Sequence, residues 1–154
     1  MTEEEITLLK AAAEKVLPYA YAPYSGIRVA AALLDAEGKV HTGCNVENSS
    51  YSLTVCAERS CLFGAVARGC RCFKGMVVVS DSEMVNSPCG ACRQVLWEFA
   101  PQLEVVVFNP AGRYRYFLED LLPAAFALGA GTEQERAESS KDGKSEKEQE
   151  AEKR

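Results

Sequence analysis

Hydrophobic positions recur at helical spacing from the start of the chain. Ile6, Leu9, Ala13, Val16 and Leu17 fall on one face of a helix expected over 2–17. Thr2 and Glu5 have the spacing of a capping box, and the acidic run 3–5 suits the positive end of a helix. Pro18 is expected to end it. An aromatic, turn-rich loop over 19–26 leads to an apolar run, 27–34, that reads as a strand. A turn over 36–39 and a second strand over 40–46 make this segment a hairpin. Residues 57–68 read as a helix that starts near Cys56, buries Leu62, Ala65 and Val66, and is stopped by Gly69. The continuous apolar run 76–80 suits a central strand covered on both faces. Pro88 precedes a helix over 89–99, halted by Pro101, and 103–108 is a further inner strand. The link 109–112 is too short for a parallel crossover, so 113–117 is expected to pair antiparallel with it. The architecture expected is α/β, with helices on both faces of a mixed five-stranded sheet.

From Thr132 onward the pattern lapses. Residues 132–154 hold eight acidic and six basic residues, with Ala137 and Ala151 the only apolar ones. Such a stretch buries too little surface to offset its ordering entropy. The expected division is a catalytic domain over 1–131 and a charged, disordered tail over 132–154. The whole, at 154 residues and 47% hydrophobic, suits one domain with a real core. A net charge of −5 argues against a nucleic-acid partner. No apolar run approaches the roughly 20 residues a membrane helix needs. The acidic N-terminus lacks the basic flank of a signal peptide. The location expected is cytoplasmic, with no membrane association.

Seven cysteines and one histidine narrow the chemistry. An odd count suits a disulfide framework poorly, and without an export signal clustered cysteines are better read as metal ligands or buried thiols. Cys56, Cys89 and Cys92 can hold a Zn²⁺ with three thiolates and leave its fourth position open, the arrangement of a catalytic zinc. Two of these fall at expected helix starts, where free N–H groups favour thiolate, and Cys89 and Cys92 lie three apart on one helix. Glu58, two residues after Cys56, can stand beside the open position without binding the metal. Arg59 lies on the face of Cys56 and can donate to its sulfur, drawing off the charge of three thiolates. Two other readings stay open on spacing alone. Cys89-Gly90-Ala91-Cys92 also fits a thiol–disulfide oxidoreductase, and a structural zinc would need a fourth ligand such as His41, Cys70 or Cys72. Cys44, Cys61, Cys70 and Cys72 otherwise read as small buried residues, and His41 as solvent-facing or packed on the hairpin.

Several separated motifs stand together with this pattern: Tyr24-Ser25, Gly43-Cys44-Asn45-Val46-Glu47-Asn48, Cys56-Ala57-Glu58-Arg59, the run from Ser87 through Cys92 to Val95, and Leu121-Leu122-Pro123. With them the chain resembles the small homotetrameric cytidine deaminases over almost all of residues 5–126. The resemblance implies a three-layer α/β/α cytidine-deaminase-like fold and hydrolysis of cytidine and 2′-deoxycytidine to the uridine forms, in pyrimidine salvage. It implies zinc on Cys56, Cys89 and Cys92, with Glu58 moving protons from the attacking water to N3 and then to the departing amine. Asn45 and Glu47 would hold the ribose 3′-hydroxyl, the backbone at Ala57 and Ser87 would meet the base, and Tyr51 would stand near the site. Phe126 would reach a neighbouring subunit's site. Ile27 stands where many members carry an aromatic residue near the base, which leaves a modified cytosine nucleoside or nucleoside antibiotic as an alternative substrate. Val29-Ala30-Ala31-Ala32 replaces the usual Val-Gly-Ala-Ala and is expected to tighten a packed strand.

Overall fold

The computed structural model of the chain describes residues 1–128. Its elements run α1 (Glu3–Val16), β1 (Val29–Asp35), β2 (Val40–Cys44), α2 (Ala57–Val66), β3 (Phe73–Ser80), α3 (Gly90–Trp97), β4 (Glu104–Asn109), β5 (Gly112–Phe117) and a short α4 (Leu118–Leu121). The strands form one sheet in the order β2-β1-β3-β4-β5. Only β3 and β4 are parallel, joined across α3; the other neighbours are antiparallel. The mixed five-stranded sheet expected from the pattern is the one observed. The tail over 132–154 lies outside the described residues.

Alternation along the strands divides the core into two layers. Ala31 and Leu33 of β1, Met76 and Val78 of β3, and Val105 and Val107 of β4 pack with Ala57, Leu62, Ala65 and Leu96 of α2 and α3. The intervening residues Ala30, Ala32, Leu34, Val77, Val79 and Val106 pack with Ile6, Leu9 and Ala13 of α1. Three consecutive alanines in β1, all fully buried, let helices lie close on both faces. The α1 start is the expected capping box: Thr2 Oγ1 accepts the Glu5 N–H and the Glu5 carboxylate accepts the Thr2 N–H, a device worth about 1 kcal/mol. Pro18 ends α1 through an intervening 3₁₀ turn at Leu17–Tyr19.

Strand boundaries differ from the pattern where side chains replace the ladder. β1 starts at Val29, not Ile27, because Asn45 bridges that segment, accepting the Val29 N–H at 2.9 Å and donating to the Ile27 carbonyl at 2.9 Å. β2 stops at Cys44, since Val46 turns away to isolated bridges with Tyr21 and Val55. Two glycines then fix α2. A Cβ on Gly43 would stand 2.4 Å from the Cys61 backbone nitrogen, so β2 touches α2 only because that residue is glycine. Gly69, at φ +88°, ends α2: its N–H reaches the Val66 carbonyl and the Cys70 N–H the Ala65 carbonyl, the paired bonds of a Schellman motif.

Candidate active site

The two helix starts bring the three cysteines together. Cys56 is the N-cap of α2 and Cys89 of α3, both extended (φ −67°, ψ 156° and φ −68°, ψ 163°), and neither side chain makes a capping bond. Each sulfur is thereby free to turn outward from its helix end. Cys56 Sγ lies 3.8 Å from Cys89 Sγ, and Cys89 Sγ lies 3.5 Å from Cys92 Sγ, one turn along α3. Two thiolates about 2.3 Å from a tetrahedral zinc stand about 3.8 Å apart. The sulfur triangle has the size of a zinc site.

The surroundings favour thiolate and a protonatable acid. The Cys56 thiol is pulled down to about 5, chiefly by the hydrogen bond from Cys92, with burial opposing and Arg59 and Cys89 assisting. Cys92, the donor of that bond and itself buried, is pushed upward. Glu58 is only 5% exposed. Burial pushes its carboxyl up to about 7, partly offset by its own backbone N–H, and the Cys56 charge adds to the rise. Its position near neutrality is that of a group able both to take and to return a proton. Arg59 Nη2 donates to the Thr54 carbonyl at 3.0 Å and reaches Cys56 Sγ at 3.7 Å, the contact its position suggested.

A cavity of about 260 Å³ opens over this cluster. Ile27, Asn45, Glu47, Tyr51, Ala57, Glu58 and Ser87 all line it, together with Cys56 and Cys89. Glu47 is buried and oriented by four donors: the N–H groups of Tyr24 and Ser25 (2.9 and 3.2 Å) and the hydroxyls of Ser25 and Tyr51. The Ser25 hydroxyl leads the interactions that hold the Glu47 carboxyl below its usual range. Arg93 ties the opposite wall, donating to Ser87 Oγ, the Pro88 carbonyl and the Leu121 carbonyl at 2.7–3.0 Å. Phe126 stands apart, largely exposed and outside this cavity, with its carbonyl held by Gln94. Thr54, Met84 and Val85 also line the wall and were not anticipated. Met84 and Val85 belong to the link between β3 and α3, whose only signal was two apolar residues in an otherwise polar stretch.

The model of the cytidine and deoxycytidylate deaminase zinc-binding region matches residues 3–109. The chain belongs to this deaminase family. It is 46% identical over 125 residues to a cytidine deaminase of Sporosarcina psychrophila, covering 80% of this chain and 92% of that one. It is 45% identical over 143 residues to a probable cytidine deaminase of Dictyostelium discoideum, covering 90% and 97%. The crystal structure of cytidine deaminase from Burkholderia pseudomallei superposes with a TM-score of 0.75 at 47% identity, covering 82% of this chain and all of that one. The family's zinc fits the donors present: three sulfurs at the right separation, with the buried Glu58 carboxyl close by on the first turn of α2.

The other cysteines separate from this centre. Cys61 is buried, and desolvation pushes its thiol up to about 12, so it is packing rather than chemistry. Cys44 and Cys70 are half-buried. Cys72, expected inside, is exposed: it immediately precedes β3, and its carbonyl accepts the Ala36 N–H. His41 is buried in β2 and bonded to Asp35, not to the cysteine triangle. Among the described residues no helix is long and apolar enough to cross a membrane.

Proposed function

We propose that this chain hydrolyses cytidine and 2′-deoxycytidine to uridine and 2′-deoxyuridine with release of ammonia. The observation that carries the reading is the buried carboxyl of Glu58 beside three convergent sulfurs at a nucleoside-sized cavity. Cys56, Cys89 and Cys92 would hold a zinc ion, which would supply the Lewis acidity that lowers the pKa of water to roughly 7. Glu58 accepts the proton of the attacking water and passes it to N3 of the pyrimidine. It then takes the remaining proton from the new C4 hydroxyl and delivers it to the amino group, so that the C4 carbonyl forms as the C–N bond breaks and ammonia leaves. A carboxyl near 7 suits each of these transfers, which together contribute about 10²–10⁴-fold.

Asn45 and Glu47 orient the sugar through the 3′-hydroxyl, and the backbone at Ala57 and Ser87 meets the base edge. Because Glu47 is held ionised by its donors, a 5′-phosphate nearby is repelled, and nucleosides are preferred over nucleotides. Ile27 offers an aliphatic wall in place of a ring. The functional unit is a cytoplasmic homotetramer in which Phe126, exposed on its own subunit, reaches a neighbour's cavity. Residues 1–131 form the catalytic domain, and deleting 132–154 leaves turnover unchanged. The test is zinc content measured alongside the loss of absorbance as cytidine becomes uridine, with cytidine 5′-monophosphate for comparison. Undetectable turnover of both natural nucleosides at full zinc loading refutes the reading.

A further inference from the structure

Three side chains that the deamination does not use meet at the opposite end of β1. Asp35 ends that strand just past a register shift, His41 faces inward from β2, and Cys70 follows the Gly69 turn. Asp35 Oδ2 accepts from His41 Nε2 at 2.8 Å and from Cys70 Sγ at 3.5 Å. All three donor atoms lie within 4.8 Å of one another.

We infer that Asp35, His41 and Cys70 form a second zinc site, separate from the catalytic cysteines. One oxygen, one imidazole nitrogen and one sulfur are donors that Zn²⁺ accepts together. Around a tetrahedral zinc a sulfur and an oxygen ligand stand about 3.5 Å apart, and a nitrogen and an oxygen about 3.3 Å. The first separation is already present; the second requires the His41–Asp35 contact to open by about half an ångström. Asp35 is 1% exposed, and His41 is its only ion-pair partner among the described residues. A divalent ion balanced by one carboxylate and one thiolate would leave this buried place neutral. Orientation is built in as well. The Lys39 N–H holds Asp35 Oδ1 at 2.8 Å and leaves Oδ2 facing the other two donors. Half-buried Cys70 gives an entry path, with water in the fourth position. Binding displaces the Cys70 thiol proton to solvent and requires the neutral imidazole to carry its proton on Nδ1. No oxidant or reductant is needed.

The experiment counts zinc in the full chain after equilibration with excess metal and removal of the free ion. Two zinc ions per chain are expected in the wild type and one in Cys70→Ser, with cytidine turnover of that variant within about two-fold, a near-tie of rate. Cys89→Ser, which disables the catalytic triangle, should still take up one zinc and melt at a higher temperature with the metal. Adding Cys70→Ser to it should abolish that rise. Cobalt titration of the wild type gives a second reading: a second equivalent with weaker thiolate charge-transfer absorption, as one sulfur rather than three requires. One metal per wild-type chain at zinc excess, or two retained by Cys70→Ser, overturns the assignment. Neither result depends on the substrate, so failure of the proposed reaction is read separately.

Discussion

The two ends of α2 and β1 make a natural comparison. At one end Cys56 caps α2 and Val29 opens β1 onto the cavity; at the other, Cys70 leaves the Gly69 turn and Asp35 closes the strand. The helix spans about 15 Å and the strand about 20 Å, so the two clusters sit apart on one rigid frame. Each gathers three metal-capable donors. The catalytic end uses three sulfurs beside a buried acid that is not itself one of the three donors, and a cavity; at the far end the buried acid, Asp35, is one of the three donors. What differs is the apparatus for moving protons, not the ability to hold an ion.

Removing that apparatus should give the largest effect. Glu58→Ala is expected to lower turnover by at least about 10²–10⁴-fold while zinc bound at the cysteines is retained. Metal content and single-turnover rate, measured on one preparation, check both halves. Zinc loss would reduce Glu58 to a structural support. Arg59→Gln comes next. Its guanidinium reaches Cys56 Sγ, so removing it should cost about 10–100-fold in zinc affinity or turnover, in line with other groups that support metal ligands. A chelator competition gives the affinity directly. Unchanged competition and turnover would show that the bond to the Thr54 carbonyl is the whole role of this arginine.

Between the two ends, Gly43→Ala tests the frame itself. The added methyl would meet backbone atoms of Cys61 at 2.4–2.8 Å, which cannot rotate away. A loss of about 1–3 kcal/mol is expected in denaturant unfolding. Both clusters hang on the α2–β2 contact, so both should loosen together. A variant as stable as the wild type would mean that the helix can lift without cost.

The two ends also differ in how far the sequence betrayed them. Cys56, Glu58, Cys89 and Cys92 were legible because their spacing is local: a ligand at a helix cap, an acid on the first turn, a second pair one turn apart. The central strand followed from a continuous apolar run, and capping from Thr2 and Glu5. Asp35, His41 and Cys70 are joined by hairpin register and a Schellman turn, neither of which is written as a motif. Spacing alone therefore reads His41 as solvent-facing or packed on the hairpin and Cys70 as a small buried residue, or either as a fourth ligand of a structural zinc. The same holds for Met84 and Val85, which an irregular loop carries onto the cavity wall. Asn45 was read for the sugar alone; that its amide also bridges Ile27 and Val29 depends on a crossing of chain segments that no spacing reports.

The smallest effect should come from the surface pair that closes the cavity end of β1. Arg28 donates its backbone N–H to Asp81 Oδ1 at 2.9 Å and its Nε to Oδ2 at 2.8 Å. Burial alone would raise the Asp81 carboxyl, but these bonds outweigh it and hold the group below its usual range. A carboxyl lowered by folding contributes stability above its unfolded value, about 3.9, and loses it as pH falls through the lower folded value. Because half of the Arg28 side chain is exposed, solvent screening keeps the contribution near 0.2–1 kcal/mol. Asp81→Asn should therefore unfold slightly earlier in urea at pH 7, with the gap from wild type closing as pH falls below the unfolded carboxylate value of about 3.9 and on through the lower folded one. A gap that persists unchanged in acid would assign the loss to backbone geometry at Arg28 rather than to charge. The cavity end of the strand would then be held by hydrogen bonds alone, a firmer contrast with the ionised Asp35 at the other end.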